Sequence, residues 1–276
     1  MKRTRLDIYL ARQGLSQSRE KAKREIISGW VKVAGETVTD PSRSITGEEQ
    51  VTVMRPGGIY VSRGGQKLAR GLEVFGIDLA GRVVADLGAS TGGFTDCMLK
   101  AGAVRVYAVD VGYGQLDYSL RTDSRVVVME KTNVRNLRAD DFPEKIEFIA
   151  VDLSFISVLK IYETMSELFS PVEGIILIKP QFEAGAGQHK KGVVRSKNAH
   201  MEILLRVISG LVKIGMSMKG LIHSPLQGPK GNIEFLLHFQ SDGGPYRSTD
   251  LTAEQEDLIK EAVERAHDEF DRSNKK

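Results

Sequence analysis

The chain has 276 residues, of which 41% are hydrophobic and 27% charged, and its formal net charge at pH 7 is +3. This composition is typical of a globular protein, and the length suffices for one large domain and one small domain. A single cysteine, Cys97, excludes an internal disulfide, and the five histidines lack the spacing of metal ligands, so no metal site is expected. No segment approaches the roughly 20 apolar residues of a membrane-spanning helix, and no apolar stretch follows the charged N-terminus. We therefore expect a cytoplasmic protein with no membrane partner.

The positive charge is concentrated at the start of the chain. Residues 1–24 carry eight Lys or Arg and two Asp or Glu side chains, a net charge of +6, which leaves the rest of the chain net acidic at −3. A compact basic surface of this kind is typical of proteins that contact nucleic-acid phosphates, although a solvated basic face is the simpler alternative.

Residues 1–55 are predicted to form a small α+β domain. A first helix carries Leu6 and Leu10 on one face, and a second helix, capped by Ser16 or Ser18, stops at Gly29. Alternating valines at 31–38 and at 51–53 predict short strands. The Pro/Gly cluster that follows marks a linker, which we place at residues 56–60.

The first domain resembles the S4 RNA-binding domain over about residues 4–53, with the specific core G-L-x-x-S-R-E-x-A at residues 14–22. The resemblance implies that helix residues bind the phosphates of structured RNA. Such contacts are salt-sensitive, and they position the RNA more than they recognise its sequence. The candidate RNA-binding residues are Arg5, Arg19, Lys21, Lys23, Arg24, Lys32 and, at the start of the second domain, Arg63.

Residues 61–245 are predicted to form a doubly wound, Rossmann-like α/β domain with a parallel sheet. Short apolar runs alternate with helical patterns, and they lie at residues 83–85, 104–109, 126–129, 146–151 and 174–178. Four of these runs are followed by a charged residue: Asp86, Asp110, Asp152 and Lys179. The carboxyl edge of such a sheet is where ligands bind, so we expect these four side chains around one cleft.

A small-residue loop follows Asp86 in the run V-V-A-D-L-G-A-S-T-G-G-F-T at residues 83–95. Glycines let the backbone approach a ligand closely, and the helix that follows presents N–H groups to it. The spacing differs from the dinucleotide motif G-x-G-x-x-G and fits S-adenosylmethionine better, since that cofactor has no pyrophosphate. Asp110 is the candidate partner of the ribose and Asn133 of the adenine. The full set of candidate cofactor-binding residues is Asp86, Gly88, Ala89, Ser90, Thr91, Gly92, Gly93, Phe94, Asp110, Asn133 and Asp152.

Six motifs of the second domain, together with the S4-like first domain, resemble the TlyA family, whose members join an S4 domain to an FtsJ-like 2′-O-methyltransferase domain. Besides the glycine loop they are Y-V-S-R-G-G-Q-K-L from residue 60, D-V-G-Y-G-Q-L from 110, D-L-S-F-I-S from 152, I-K-P-Q-F-E from 178 and G-N-I-E-F-L-L from 231. The resemblance implies S-adenosylmethionine as cofactor, methylation of cytidine 2′-hydroxyls in ribosomal RNA, and ribosomal RNA or ribosomal subunits as partners. The family contains a class that acts on 23S rRNA alone and a longer class that also acts on 16S rRNA, and the N-terminal domain and C-terminal helix favour the second class. It leaves the oligomeric state open.

The family's catalytic tetrad maps onto Lys67, Asp152, Lys179 and Glu234, each inside its own motif. A ribose 2′-hydroxyl must lose its proton as it attacks, and an ordinary lysine, with a pKa of about 10.4, is a poor base at neutral pH. A neighbouring Lys67 would lower the pKa of Lys179, whereas Asp152 and Glu234 would raise it, and the sequence leaves that balance open. Our hypothesis makes Lys179 the base.

Two alternatives remain at this level. The first is a membrane-active protein, since proteins of this family have often carried the name haemolysin; that function would require a membrane-active segment. The second is a catalytically silent ribosome-binding protein, which would require a damaged tetrad.

Residues 183–195 are predicted to form a basic loop, and residues 246–276 a C-terminal helix and tail opened by a capping box of Thr252 and Gln255.

Overall fold

The computed structural model describes residues 3–16, 18–54, 59–185, 192–241 and 250–273. The predicted linker at 56–60 and the predicted basic loop at 183–195 therefore lie partly outside the described residues, as do the last three residues of the C-terminal tail. The elements of the N-terminal domain are β1 (Thr4–Arg5), α1 (Leu6–Arg12), α2 (Arg19–Ile27), β2 (Val31–Val33), β3 (Glu36–Val38), β4 (Ser44–Ile45) and β5 (Val51–Val53).

The N-terminal domain packs its two helices on a small antiparallel sheet of order β3-β2-β5, while β1 pairs with β4. Leu6 and Leu10 of α1 and Ile26 of α2 are completely buried against the valines of β2. Ser18 is the residue that caps α2, since its hydroxyl accepts a hydrogen bond from the Lys21 backbone N–H at 3.1 Å. The sequence pattern missed β1 and β4, because two-residue strands carry no period.

The second domain alternates strands with helices. Its elements are α3 (Arg63–Phe75), β6 (Val83–Leu87), α4 (Gly93–Lys100), β7 (Arg105–Val109), α5 (Tyr118–Arg121), β8 (Val126–Met129), β9 (Phe148–Val151), α6 (Leu159–Phe169), β10 (Val172–Ile178), α7 (Pro180–Glu183), α8 (Lys197–Lys213), β11 (Met216–His223), β12 (Phe235–Ser241) and α9 (Ala253–Ser273).

These strands form one seven-stranded sheet of order β11-β12-β10-β9-β6-β7-β8. The predicted doubly wound architecture is confirmed, but the sheet is not wholly parallel, because β12 runs antiparallel to both β10 and β11. The chain joins β11 to β12 through residues 224–234 without an α-helix, so β12 returns in the opposite direction. The strand order reverses between β6 and β9, and such a switch point opens a crevice at the carboxyl ends of the strands.

Two hydrophobic cores cover the two faces of this sheet. One contains α6, α8 and α9, and the other contains α3 and α4. Alternation along β6 sends Ala85 and Leu87 to the first core and Val84 to the second. The same alternation places Asp86 on the α3 and α4 side of the sheet. The predicted capping box opens α9, since Gln255 N–H donates to Thr252 Oγ1 and the Gln255 side chain accepts from Thr252 N–H.

Within the described ranges, no helix combines the length and the apolar character that crossing a membrane requires. The same part of the chain contains no group of three His, Cys, Asp or Glu side chains arranged to hold a metal ion.

Candidate active site

A cleft of about 720 Å³ lies at the carboxyl edge of the sheet and extends to the N-terminal domain. Its walls come from the loops after β6, β7, β9 and β10, from the start of α3, and from the segment that precedes β12. The N-terminal domain contributes residues 27–29 and 39–41. Both domains therefore border the same cavity.

The glycine loop between β6 and α4 forms the floor of this cleft. Gly88 has φ of +99°, and a Cβ there would lie 2.5 Å from the carbonyl oxygen of Asp152, so no larger residue fits. This close approach joins the glycine loop to the loop after β9. Six of the predicted loop residues line the cleft: Gly88, Ala89, Ser90, Thr91, Gly93 and Phe94.

Asp110 fixes the geometry of the neighbouring loops. Its Oδ2 accepts a hydrogen bond from Ser90 N–H at 2.9 Å, and its Oδ1 accepts from Gly112 N–H at 2.6 Å. Asn133 also lines the cleft, and its Oδ1 accepts from Arg135 N–H at 3.0 Å. The amide oxygen keeps a second lone pair and the amide nitrogen is a donor, so Asn133 can offer either group to an adenine.

Asp86 and Gly92 differ from their predicted placement, since neither is among the residues that line the cleft. Asp86 is the fourth residue of β6 and is fully buried, with Oδ2 accepting from Thr95 Oγ1 at 2.6 Å. Burial raises the pKa of Asp86 to about 7, and the charge of Asp152 adds to this effect. Gly92 packs against Leu120. Both residues therefore support the glycine loop from its buried side and do not line the cleft.

The four tetrad residues come from four separate elements and form two ion pairs in the cleft. Lys67 Nζ on α3 lies 2.5 Å from Glu234 Oε2, just before β12. Lys179 Nζ, after β10, lies 2.6 Å from Asp152 Oδ1, after β9, and donates to Ser154 Oγ at 2.9 Å. The structure thus brings together residues that lie up to 167 positions apart in the sequence.

The structure resolves the balance that the sequence left open. Burial acts to lower the pKa of Lys179, but the carboxylates of Asp152 and Glu234 oppose it, and the net result is a raised pKa. Each lysine has a carboxylate partner of its own, and the carboxylates around Lys179 favour its ammonium form.

The candidate RNA-binding residues separate into two places. Arg63 lines the cleft and donates to the carbonyl oxygen of Gln227 at 3.0 Å, while its side chain packs under Gly29 of the N-terminal domain. Burial lowers the pKa of Arg63. None of the other six predicted residues is among those that line the cleft.

Within the N-terminal domain, Arg5 and Arg19 share one buried carboxylate. Their Nε atoms lie 3.0 and 3.1 Å from the two oxygens of Asp7. Lys21, Lys23 and Arg24 lie on α2 and Lys32 on β2. Asp7 thus holds two guanidinium groups side by side, a feature that sequence reasoning missed because an Asp at the start of a helix reads as a capping residue.

Sequence reasoning also missed two aromatic residues beside the tetrad. Phe155 is 88% exposed and has φ of +66°, and its ring centroid lies 4.8 Å from that of Phe182. Both rings line the cleft. The available signal was a phenylalanine three residues after a predicted catalytic residue in each motif: Phe155 after Asp152 in D-L-S-F, and Phe182 after Lys179 in K-P-Q-F.

The residues present suit S-adenosylmethionine. The cleft lies at the switch point of the sheet, where the Asp110 carboxylate can accept from ribose hydroxyls, Asn133 can contact the adenine, and the glycine loop lets its backbone approach the amino-acid portion. Together with the antiparallel β12 and the two lysine–carboxylate pairs, this arrangement defines a Rossmann-like methyltransferase that uses S-adenosylmethionine.

Comparison with known proteins identifies the family. The model of the FtsJ-like methyltransferase family matches residues 60–241, and that of the S4 domain matches residues 4–51. The chain is 44% identical over 269 residues to the Bacillus subtilis protein named "Putative rRNA methyltransferase YqxC", and the match covers 96% of this chain and 95% of that protein. It is 41% identical over 239 residues to the 16S/23S rRNA (cytidine-2′-O)-methyltransferase TlyA of Mycobacterium tuberculosis, covering 86% of this chain and 89% of that protein. The chain belongs to the TlyA family of S4 and FtsJ-like methyltransferase proteins.

A solved structure from Streptococcus thermophilus that bears the name hemolysin has the same overall fold. It matches with a TM-score of 0.76 and 40% sequence identity, and the match covers 100% of both chains. The order of the two domains and the mixed sheet are therefore common to this chain and that relative.

Proposed function

We propose that this protein is an S-adenosylmethionine-dependent ribosomal RNA (cytidine-2′-O)-methyltransferase that acts on 23S and 16S rRNA. The observation that carries the proposal is the pair of lysine–carboxylate contacts, Lys179 with Asp152 and Lys67 with Glu234, beside the cofactor loop. The relative that is named for this activity on both rRNAs is 41% identical to the chain. Ribosomal subunits as substrate would place the protein in the cytoplasm.

The chemistry requires a base for the ribose hydroxyl. When bound, S-adenosylmethionine supplies a methyl group on a positively charged sulfur. In the proposal, Lys179 Nζ is the proton acceptor, and Asp152 and Ser154 hold that nitrogen in a fixed direction. Its raised pKa means that Lys179 must first release its own proton before it can accept the one from the hydroxyl. Lys67, fixed by Glu234, orients the hydroxyl.

The RNA side of the proposal uses both domains. Arg5 and Arg19, held by Asp7, take backbone phosphates, with Lys21, Lys23, Arg24 and Lys32 nearby, and Arg63 lies where the two domains meet. Phe155 offers an exposed aromatic face at the cleft, on which an unstacked base can lie. We propose that the target nucleotide enters between the domains with its base on Phe155.

Methyl transfer to isolated ribosomal subunits tests this proposal. Unmodified 30S and 50S subunits are incubated with the protein and S-adenosylmethionine that carries a tritiated methyl group, and the labelled nucleotide is then mapped. We expect 2′-O-methylcytidine in both subunits, and no label with Lys179→Ala. Label in the 50S subunit alone would restrict the substrate to 23S rRNA, and label on a base would contradict the proposed chemistry.

The hemolysin name of the Streptococcus thermophilus relative raises membrane activity as a second function. No described helix has the length and apolar character of a membrane span, and no described feature favours this function over methyl transfer.

A further inference from the structure

The short helix α7 connects the two catalytic strand ends through three side chains. Lys179, just before α7, reaches Asp152 at 2.6 Å, and Phe182 contacts the ring of Phe155. Glu183, the last residue of α7, reaches the far end of the same loop at Val158. The loop at residues 152–158, which follows β9, is therefore held at its beginning, middle and end.

Glu183 is a buried carboxylate with specific partners. Its Oε1 accepts a hydrogen bond from the Val158 backbone N–H at 2.8 Å. The Arg206 guanidinium donates to the backbone carbonyl oxygen of Glu183. Burial raises the pKa of Glu183 even though the hydrogen bond from Val158 opposes the shift. The side chain has a relative exposure of 8% and is not among the residues that line the cleft.

The loop that Glu183 holds contains backbone strain. Phe155 has φ of +66°, a strained conformation for a non-glycine residue, which persists only where the surroundings impose it. Lys179 fixes the loop before Phe155, and Glu183 fixes it at Val158, three residues later. Without the second attachment, Phe155 and Ser154 are free to relax away from the cleft.

We propose that Glu183 is a positioning residue for methyl transfer: it anchors the strained loop that presents Asp152, Ser154 and Phe155 to the substrate, while making no contact with the substrate itself. The inference rests on the proposed function, since its role in turnover presupposes that the cleft transfers methyl groups. It also makes a structural claim about the loop that stands without turnover.

Three variants of the full-length protein test the inference. Glu183→Ala removes the acceptor of the Val158 N–H, whereas Glu183→Gln keeps an oxygen that can accept it. The matched control is Glu173→Ala at the other end of β10, because Glu173 is a partly buried carboxylate that is bound by Arg82 and His238. The measurements are kcat and KM for tritium transfer into isolated ribosomal subunits, the Kd for S-adenosylmethionine, and hydrogen–deuterium exchange of peptides that span residues 152–158.

We expect Glu183→Ala to lower kcat by about 10- to 100-fold, because small misplacements of catalytic groups have effects of this size. The Kd for S-adenosylmethionine should stay within about twofold, and Glu183→Gln should recover to within about threefold of the wild-type kcat. Exchange at 152–158 should be faster in Glu183→Ala and unchanged in Glu173→Ala. Unchanged exchange in Glu183→Ala, or an equal loss of kcat in Glu173→Ala, overturns the inference.

Failure of the proposed function is distinguishable from failure of the inference. If the wild-type protein labels neither subunit, methyl transfer to rRNA is wrong, and the exchange measurement alone then decides whether Glu183 holds the loop. Faster exchange confined to residues 152–158 supports the anchor, and wild-type exchange there refutes it.

Discussion

Lys67 Nζ lies 2.5 Å from Glu234 Oε2, and the Glu234 side chain is completely inaccessible to solvent. Gln181 Nε2 donates to the other carboxylate oxygen at 3.2 Å, so Glu234 is held by α3 and by the α7 turn at once. A buried charge that loses its partner costs about 3–5 kcal/mol, whereas replacing the whole pair with apolar groups costs much less. The contact therefore has both a structural and a chemical consequence.

We expect Lys67→Met to destabilise the protein by about 3 kcal/mol or more, since it leaves the Glu234 carboxylate buried and without its ammonium partner. The double variant Lys67→Met with Glu234→Leu should recover part of that stability while remaining inactive. Urea unfolding of the wild type, both single variants and the double variant forms a complete cycle. Additive losses would show that the pair contributes nothing beyond its separate members.

The raised pKa of Lys179 predicts that methyl transfer accelerates with pH. The neutral amine grows about tenfold per pH unit below the pKa, so the single-turnover rate should rise nearly in proportion between about pH 6.5 and 8.5. Lys179→Arg should be inactive at every pH, because a guanidinium does not lose its proton. Lys179→Ala should bind S-adenosylmethionine nearly as the wild type does. A rate that is independent of pH in this range would exclude Lys179 as the base.

Asp86 predicts a pH dependence of stability with a definite sign. Its pKa is about 7 in the folded protein and about 3.9 in an unfolded chain, so between about pH 4 and 7 the unfolded state alone releases the proton. Stability is therefore lost as pH rises through this window and is level above it. The free energy of unfolding of Asp86→Asn, measured relative to that of the wild type, should be about 2–3 kcal/mol higher at pH 8 than at pH 5.

Denaturant unfolding at the two pH values measures this difference. Asp257→Asn on the exposed face of α9 is a suitable control, because its carboxylate is in solvent. The Asp86 variant should keep the contact with Thr95, since the amide oxygen can accept the hydroxyl proton. An equal change in stability at both pH values would contradict the assignment.

The contact of the buried Asp7 carboxylate with Arg5 and Arg19 predicts that Asp7 strengthens RNA binding. Asp7→Asn removes a negative charge, which alone would strengthen RNA binding, but it also releases the guanidinium groups of Arg5 and Arg19 from their shared carboxylate. We expect the loss of orientation to dominate and the affinity for 23S rRNA to fall by about tenfold. Titrations at several salt concentrations measure it, with Glu20→Gln, which breaks an exposed pair with Lys23, as control. Tighter binding by Asp7→Asn would show that net charge outweighs orientation.

We predict that removal of the Phe155 ring lowers activity on RNA without weakening the binding of S-adenosylmethionine. Base stacking on an aromatic side chain contributes about 1–3 kcal/mol, so Phe155→Ala should lower kcat/KM for ribosomal subunits by about 5- to 150-fold. Phe155→Trp should retain most of the activity, because it keeps an aromatic face. Calorimetric titration with S-adenosylmethionine should give the wild-type Kd for both variants. A weaker Kd in Phe155→Ala would mean that the ring contacts the cofactor instead.

The amino-acid sequence by itself determined the two domains, the alternation of strands and helices, and the motifs that carry the tetrad. These features are local, because apolar periodicity, glycine spacing and the charges at strand ends can each be recognised within a short segment of sequence. Strands β11 and β12 were not among the predicted runs, and the antiparallel direction of β12 depends on its neighbours β10 and β11 rather than on its own residues. Asp86 was expected to follow the strand and face the cleft, but it is the fourth residue of β6, and the alternation of side chains along the strand turns it into the core.

Only the tertiary structure decided which charges meet. Lys67 and Glu234, 167 positions apart, become partners because α3 and the segment before β12 both border the cleft. The raised pKa of Lys179 follows from two carboxylates that other elements contribute. The hydrogen bond from Val158 N–H to Glu183 follows from the packing of α7 against the loop after β9. Distances between side chains set these electrostatic effects, and the sequence specifies such distances only through the complete fold.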